Sequence, residues 1–123
     1  LVVQRIGQDI FRERLLDYWQ GRCPLTGISD PALLRASHIV PWSECESDAE
    51  RLDVHNGLLL SALWDAAFDR ALVTFDDQGR PEFSASLSEQ ARAELRWRSP
   101  IPLTDGHRRR LARHRECMRA EQS

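Results

Sequence analysis

Three residues between positions 38 and 65 have side chains whose types and spacing suit hydrolytic chemistry. His38 precedes Ile-Val-Pro, Asn56 begins the run Asn-Gly-Leu-Leu-Leu, and Asp65 follows it by nine residues. A histidine that titrates near neutral pH can accept a proton from water. A carboxylate is a hard oxygen ligand for a divalent cation, and an asparagine amide can fix a loop backbone or hold an imidazole in place. Together these groups could hydrolyse a phosphodiester, which needs an activated water and stabilised charge on the phosphoryl oxygens.

Short structural elements must bring these side chains together. Residues 36–40 form an apolar segment that Pro41 prevents from continuing as an interior strand, and residues 43–53 are polar and acidic, as in a surface loop. We expect a helix directly after Asn56, with Asn56 at its N-cap. Its core face is then predicted to contain Leu59, Leu60, Leu63, Ala67 and Phe68.

Elements on both sides of this region are predicted as scaffold. Apolar residues at helical spacing predict an N-terminal helix over about residues 7–20. Residues 71–75 and 81–84 are typical of a hairpin with a turn between them, and Ser86 or Ser88 is expected to begin another helix. A last, arginine-rich helix is predicted over about residues 105–120.

Composition limits the class of protein. With 123 residues, of which 41% are hydrophobic, the chain is long enough for one domain with a single core. No apolar run approaches the roughly 20 residues that span a bilayer, and no signal peptide pattern is present, so we expect a cytoplasmic protein without membrane contact. The 3 cysteines include no closely spaced pair, which argues against a disulfide framework or a cysteine-rich zinc site. Leu1 in place of Met predicts a fragment of a longer protein.

Charge is unevenly distributed along the chain. The formal net charge is −2, and all 17 basic residues are arginine. Six arginines lie between Arg108 and Arg119, whereas residues 44–53 contain five acids. His107 and His114, in the same C-terminal segment, are interpreted as part of a basic face.

The motifs Ser-His-Ile-Val-Pro, Asn-Gly-Leu-Leu-Leu and Trp-Asp-Ala-Ala-Phe-Asp occur here in that order. With the Gly-Gln-x-x-Phe-Arg start, the Cys-x-x-Thr-Gly-Ile turn and the Phe-Asp-Arg-Ala-Leu-Val segment, they resemble an HNH endonuclease domain of the ββα-metal fold. The resemblance covers about residues 5–87. It implies an α+β fold, with a ββα-metal core at about residues 22–87, a short antiparallel hairpin and flanking helices, in one domain over residues 1–123. It also implies a DNA endonuclease, of the kind found in restriction-like defence.

The resemblance assigns roles to individual residues. His38 matches the general base that activates water, and Asn56 matches the residue that orients the base and braces the loop. Asp65 stands where the family places its last histidine or a substituting asparagine, and would hold one divalent cation, Mg²⁺ or Mn²⁺. Asp69 and, more weakly, Ser37 are further candidate metal ligands. Asp69 could instead cap the helix or form a salt bridge.

Five residues are candidate contacts to DNA. Each also has a structural alternative, because arginines commonly form surface ion pairs and His55 could be an ordinary exposed loop residue. Arginine is nevertheless the better phosphate ligand, since its planar guanidinium can donate two parallel hydrogen bonds. The candidates are Arg35, Arg51, His55, Arg108 and Arg109.

Two positions depart from the family pattern. Many members have Asp or His directly before the base, where this chain has Ser37, whose hydroxyl is a weaker ligand. The last motif position is Asp65 instead of His, and a carboxylate suits Mg²⁺ or Mn²⁺. The paired zinc cysteines of some members are absent, which predicts no structural zinc.

Three functional hypotheses remain. The first is a metal-dependent nuclease acting on double-stranded DNA, which the complete set of His38, Asn56 and Asp65 favours. The alternative is a catalytically weakened DNA-binding module with the same fold, which Ser37 favours. The third is an interaction domain whose residues 108–119 bind an acidic partner. Because the net charge is acidic, we expect weak, salt-dependent DNA binding by this domain and a separate targeting domain in the full-length chain.

Overall fold

A computed structural model describes residues 2–122 of the chain. It contains five helices and four strands within those residues, connected by turns and short 3₁₀ segments. In chain order these are α1 (Val2–Tyr18), β1 (Leu34–His38), α2 (Asp48–Arg51), β2 (Gly57–Ser61), α3 (Ala62–Asp69), β3 (Val73–Phe75), β4 (Pro81–Phe83), α4 (Glu89–Glu94) and α5 (Asp105–Gln122).

Strands β1 and β2 form the centre of the molecule. They pair antiparallel, with Leu34 opposite Ser61 and His38 opposite Gly57. The pairing extends by one hydrogen bond, in which the Ile39 N–H donates to the Asn56 carbonyl at 3.0 Å. Helices α1 and α3 both pack on this pair, and every residue of β2 is buried. The β1–β2–α3 unit and the separate β3–β4 hairpin confirm the predicted α+β fold with a ββα core.

The prediction of a helix directly after Asn56 was wrong. Residues Gly57–Ser61 form β2, and α3 begins only at Ala62, so Asn56 is not a helix N-cap. A short continuous apolar run is compatible with a strand buried on both faces and with a buried helix. Here the pairing with β1 selects the strand. Leu63 is 51% exposed, so it does not belong to the core face that was predicted.

Two glycines allow α1 to lie close against the strands and the following loop. A Cβ at Gly57 would lie 2.4 Å from Cζ of Phe11, and a Cβ at Gly7 would lie 2.5 Å from Cη2 of Trp42. Both distances are well below van der Waals contact. Any larger residue at these positions would therefore displace α1 or the rings of Phe11 and Trp42, both of which contact His38.

Helix α5 packs on the acidic loop between β1 and β2. Arg113 pairs with Glu44, and Arg110 pairs with Glu50 at 3.3 Å and with Asp53 at 3.4 Å. Several arginines of this helix are thus already matched by carboxylates of the same molecule.

The two histidines of α5 also differ from the prediction. His107 is fully buried, and His114 is half-buried with its ring stacked on Phe68 at a centroid distance of 3.9 Å. The interpretation of both as part of a basic face was therefore wrong. Apolar and aromatic neighbours, contributed by distant segments, take these rings out of solvent.

Protonation of His107 is expected to weaken the fold in acid. Its Nδ1 accepts a hydrogen bond from the Thr104 N–H at 3.0 Å, and burial, with the nearby His55, lowers the pKa of His107 to about 4. In the unfolded chain, His107 has an ordinary pKa near 6.5. The stability that depends on a neutral His107 is therefore fully present above that pH. It is lost as the pH falls towards 4, by about 3 kcal/mol in total.

Urea unfolding at neutral and acidic pH measures this effect. The His107→Gln variant, which cannot titrate there, should lose less stability than the wild type between the two conditions. Equal losses in both proteins would contradict the prediction.

Candidate active site

The predicted base and metal ligands line one groove. This groove, of about 330 Å³, lies between the end of β1, helix α3 and the N-terminal half of α1. It brings together residues that are far apart in the sequence. Its lining consists of Gln8, Ala36, Ser37, His38, Pro41, Trp42, Asp65, Phe68 and Asp69.

His38 is the last residue of β1, and three contacts fix its ring. The ring stacks on Phe11 at a centroid distance of 3.7 Å and an interplanar angle of 10°, and it meets the ring of Trp42 edge-on at a centroid distance of 6.0 Å. His38 Nε2 lies 2.8 Å from the Arg51 carbonyl oxygen. Because a carbonyl only accepts hydrogen bonds, Nε2 must carry the proton, which leaves Nδ1 of the neutral ring as an acceptor.

Burial favours the neutral form of this ring. Desolvation lowers the pKa of His38 below its ordinary value, and the hydrogen bond to the Arg51 carbonyl offsets this only in part. At neutral pH the imidazole is therefore mostly neutral and can accept a proton at Nδ1. These are the properties that a general base requires.

Asp65 lies in the first turn of α3, beside Ser37. The buried Ser37 hydroxyl donates a hydrogen bond to Oδ1 of Asp65. In this structure Ser37 thus orients the candidate ligand. Asp69 lies one turn further along the same helix and is exposed at the groove.

The donor set fits a cation held largely by water and substrate. Among residues 2–122, no three His, Cys, Asp or Glu side chains come together as a complete metal site. Mg²⁺ commonly binds proteins through one or two carboxylates, with waters and substrate phosphates completing its octahedron. Asp65, with the Ser37 hydroxyl beside it, and Asp69 would supply such carboxylates.

Asn56 holds the loop that follows β1. The residue is fully buried; its Oδ1 accepts from the Val40 N–H at 2.8 Å, and its Nδ2 donates to the Val40 carbonyl at 3.2 Å and to the Glu50 carbonyl at 3.4 Å. It therefore links both ends of the loop that leads to Arg51. Since the Arg51 carbonyl accepts from His38, Asn56 positions the imidazole through the loop backbone.

Replacing Asn56 with alanine should destabilise the protein by about 2–4 kcal/mol. The change would leave the buried N–H of Val40 without an acceptor and remove the donors to two carbonyls. Urea unfolding measures the loss, with Gln8→Ala, an exposed amide, as a control expected to change stability by less than about 0.5 kcal/mol. A loss no larger than that of the control would show that Asn56 does not brace the loop.

The Arg51 side chain is bound to residues of its own loop. Its guanidinium donates to the carbonyls of Trp42 at 3.1 Å and Cys45 at 3.3 Å, and it pairs with Asp48 at 2.9 Å. This arrangement stabilises the loop and leaves few donors for a phosphate.

The remaining candidate DNA contacts do not converge on the groove. His55 is half-buried, and its Nδ1 lies 2.9 Å from the Thr104 hydroxyl near the start of α5. Arg108 pairs with Asp105 at 2.9 Å, whereas Arg109 and Arg35 are exposed. Of the side chains that the structure describes, none of the five candidates lines the groove.

Sequence reasoning missed the contribution of α1. The Gly-Gln-x-x-Phe motif contributed only to the family resemblance, and neither Gln8 nor Phe11 was given a role at the site. Residues three apart in a helix lie on neighbouring turns of one face, so the Gly-Gln-x-x-Phe spacing carried the relevant signal. Which strand that face would cover could not be read from the spacing.

Comparison with known proteins is consistent with this geometry. Residues 23–76 match the model of a family described as HNH endonuclease. The matched segment includes β1, β2 and α3, and therefore His38, Asn56 and Asp65. No curated protein was found to match the chain. Among the helices of residues 2–122, none is long and apolar enough to cross a membrane.

Proposed function

Residues 23–76 belong to the HNH endonuclease family, and on this premise we propose that the chain is a metal-dependent endonuclease that hydrolyses DNA phosphodiester bonds. One observation carries the proposal. His38, with Nε2 committed to the Arg51 carbonyl and Nδ1 available as an acceptor, shares a groove with Asp65 and Asp69. A base and candidate metal ligands thus lie together at a site open to substrate.

The residues of the groove have separable roles in this mechanism. His38 Nδ1 accepts the proton of the attacking water, and the Arg51 carbonyl then stabilises the imidazolium through its hydrogen bond with Nε2. Phe11 holds the ring in the plane that this hydrogen bond requires. Asp65, oriented by Ser37, would hold a divalent cation together with Asp69. When bound, such a cation stabilises charge on the phosphoryl and leaving oxygens.

A second candidate function is a catalytically weakened DNA-binding module. The observation that favours it is the donor set itself, in which Ser37 supplies a hydroxyl where many family members have Asp or His. With fewer strong ligands, the site would bind a cation less tightly. This hypothesis predicts DNA binding without cleavage.

Plasmid nicking tests both functions. The protein should convert supercoiled plasmid to nicked or linear forms with Mg²⁺, Mn²⁺ or Ni²⁺, and EDTA should stop the reaction. Activity that persists in EDTA would reject the metal-dependent mechanism. Plasmid binding without nicking under all three metals would instead support the second function.

A separate targeting domain stays a prediction, tested by comparing the plasmid affinity of this chain with that of any longer protein that contains it.

A further inference from the structure

We propose that Arg12 and Arg35 form a binding site for a backbone phosphate of the DNA, beside the groove. The two residues, here called the arginine pair, come from α1 and β1. The proposal rests on the nuclease function proposed above, because it specifies how the DNA strand would be held there.

Both guanidinium groups converge on one backbone oxygen. NH1 of Arg12 donates to the Leu34 carbonyl at 2.7 Å, and NH1 of Arg35 donates to the same carbonyl at 3.0 Å. The two nitrogens are therefore at most roughly 6 Å apart. Arg12 NH2 also donates to the Pro31 carbonyl at 2.7 Å, and Arg35 NH1 to the Ala32 carbonyl at 3.1 Å.

These partners are neutral, so no direct ion pair compensates the positive charge of the pair. Within residues 2–122, no carboxylate lies within 4.0 Å of either guanidinium, although Asp9 and Glu13 are exposed on α1 next to Arg12. By contrast, five other arginines have carboxylate partners: Arg51, Arg108, Arg110, Arg113 and Arg115.

A phosphate would complete this arrangement. Two like charges held so close repel each other, and an anion between them relieves the repulsion. Each guanidinium has five N–H donors, of which Arg35 uses those of only one nitrogen in these hydrogen bonds. Phosphate oxygens accept such charge-assisted hydrogen bonds in parallel pairs. A DNA backbone is the phosphate source that the neighbouring groove is proposed to receive.

The arginine pair lies next to the groove from two directions. Arg35 directly precedes Ala36, and Arg12 lies one helical turn after Gln8; both Ala36 and Gln8 line the groove. Along β1, the Cα atoms of Arg35 and His38 are separated by roughly 10 Å. The arginine pair and His38 would thus contact different backbone phosphates of the bound DNA.

The salt dependence of DNA binding tests this site directly. In a His38→Ala background with EDTA, so that no DNA is cut, a fluorescein-labelled duplex is titrated at several salt concentrations. Arg35→Gln should weaken binding about 3- to 10-fold, and the Arg12→Gln, Arg35→Gln double variant should lower the slope of log K against log salt by roughly 0.9, the value for one phosphate contact. Arg80→Gln, an exposed arginine in the β3–β4 turn, removes the same charge and should change affinity less than about twofold.

The controls separate binding from folding and from catalysis. Arg12 also ties α1 to residues 31–34, so urea unfolding of every variant is measured, and Arg35→Gln preserves those two hydrogen bonds. The proposal is overturned if Arg35→Gln and the double variant bind like Arg80→Gln. If the unsubstituted protein cuts plasmid while these variants bind DNA normally, the phosphate site at the arginine pair is rejected and the nuclease proposal stands. If it never cuts but the variants lose affinity and slope, the pair stands and the nuclease proposal fails.

Discussion

Replacing His38 with alanine is expected to reduce the rate of plasmid nicking by about 10²- to 10⁴-fold, the usual contribution of a general base. The variant loses the only imidazole that lines the groove among the described residues, together with the acceptor at Nδ1. Initial nicking rates with Mg²⁺ or Mn²⁺ measure the loss, and urea unfolding shows whether the fold persists. Added imidazole should restore part of the activity, because the substitution leaves a space beside Phe11. A variant as active as the wild type would reject His38 as the base.

The pH profile of the wild type gives an independent check. Burial lowers the pKa of His38 below its ordinary value near 6.5, so the base stays deprotonated to a lower pH than a solvent-exposed histidine. Activity should rise with pH as His38 loses its proton, with the midpoint below pH 6.5, and then level off. A midpoint above 6.5 would indicate that another group limits the rate.

Replacing Asp65 with asparagine should raise the Mn²⁺ concentration needed for activity by about 10-fold or more, because the substitution removes the carboxylate charge. The asparagine carbonyl can still accept the hydrogen bond from Ser37, so the fold should be retained. Calorimetric titration with Mn²⁺ and activity at increasing Mn²⁺ both measure the change. Asp69→Asn, one turn away in the same helix, removes the same charge at the same groove and should have the smaller effect. If Asp69→Asn raises the required Mn²⁺ concentration more than Asp65→Asn does, Asp69 is the principal ligand.

The predictions that succeeded depend on local sequence. The β3–β4 hairpin was predicted because Asp76-Asp77-Gln78-Gly79 has turn chemistry between two strand-like segments, and Gly79 does adopt a positive φ of 78°. Ser88 was expected to begin a helix, and its hydroxyl does accept from the Ala91 N–H as an N-cap. Each of these signals lies within a few residues of the structure that it specifies.

The errors arose where distant segments decide the outcome. The apolar run after Asn56 became a strand because β1 pairs with it and helices cover both faces of the pair. Likewise, Arg110 and Arg113 of the arginine-rich helix pair with carboxylates about 60–70 positions earlier in the chain. No local pattern in the composition indicates which acids will face which arginines.

The sequence indicated candidate residues for the site, but not the groups that support them. His38 and Asp65 were named from their types and spacing, and the structure brings both to one groove. Their supports were not predicted: Phe11 stacks on the base, the Arg51 carbonyl fixes its tautomer, and Ser37 orients Asp65. Such supports depend on backbone approaches between elements, which residue type alone does not encode.

The close approach of α1 at Gly7 and Gly57 has a consequence for protein engineering. A chimera that grafts only residues 23–76 onto another protein would carry His38, Asn56 and Asp65 but would lack Phe11, against which the imidazole is stacked. The transplanted histidine would be more hydrated and free to rotate, although every residue of the motif was present. A segment that transfers this site to another protein therefore has to include the helix Val2–Tyr18, with glycine kept at positions 7 and 57.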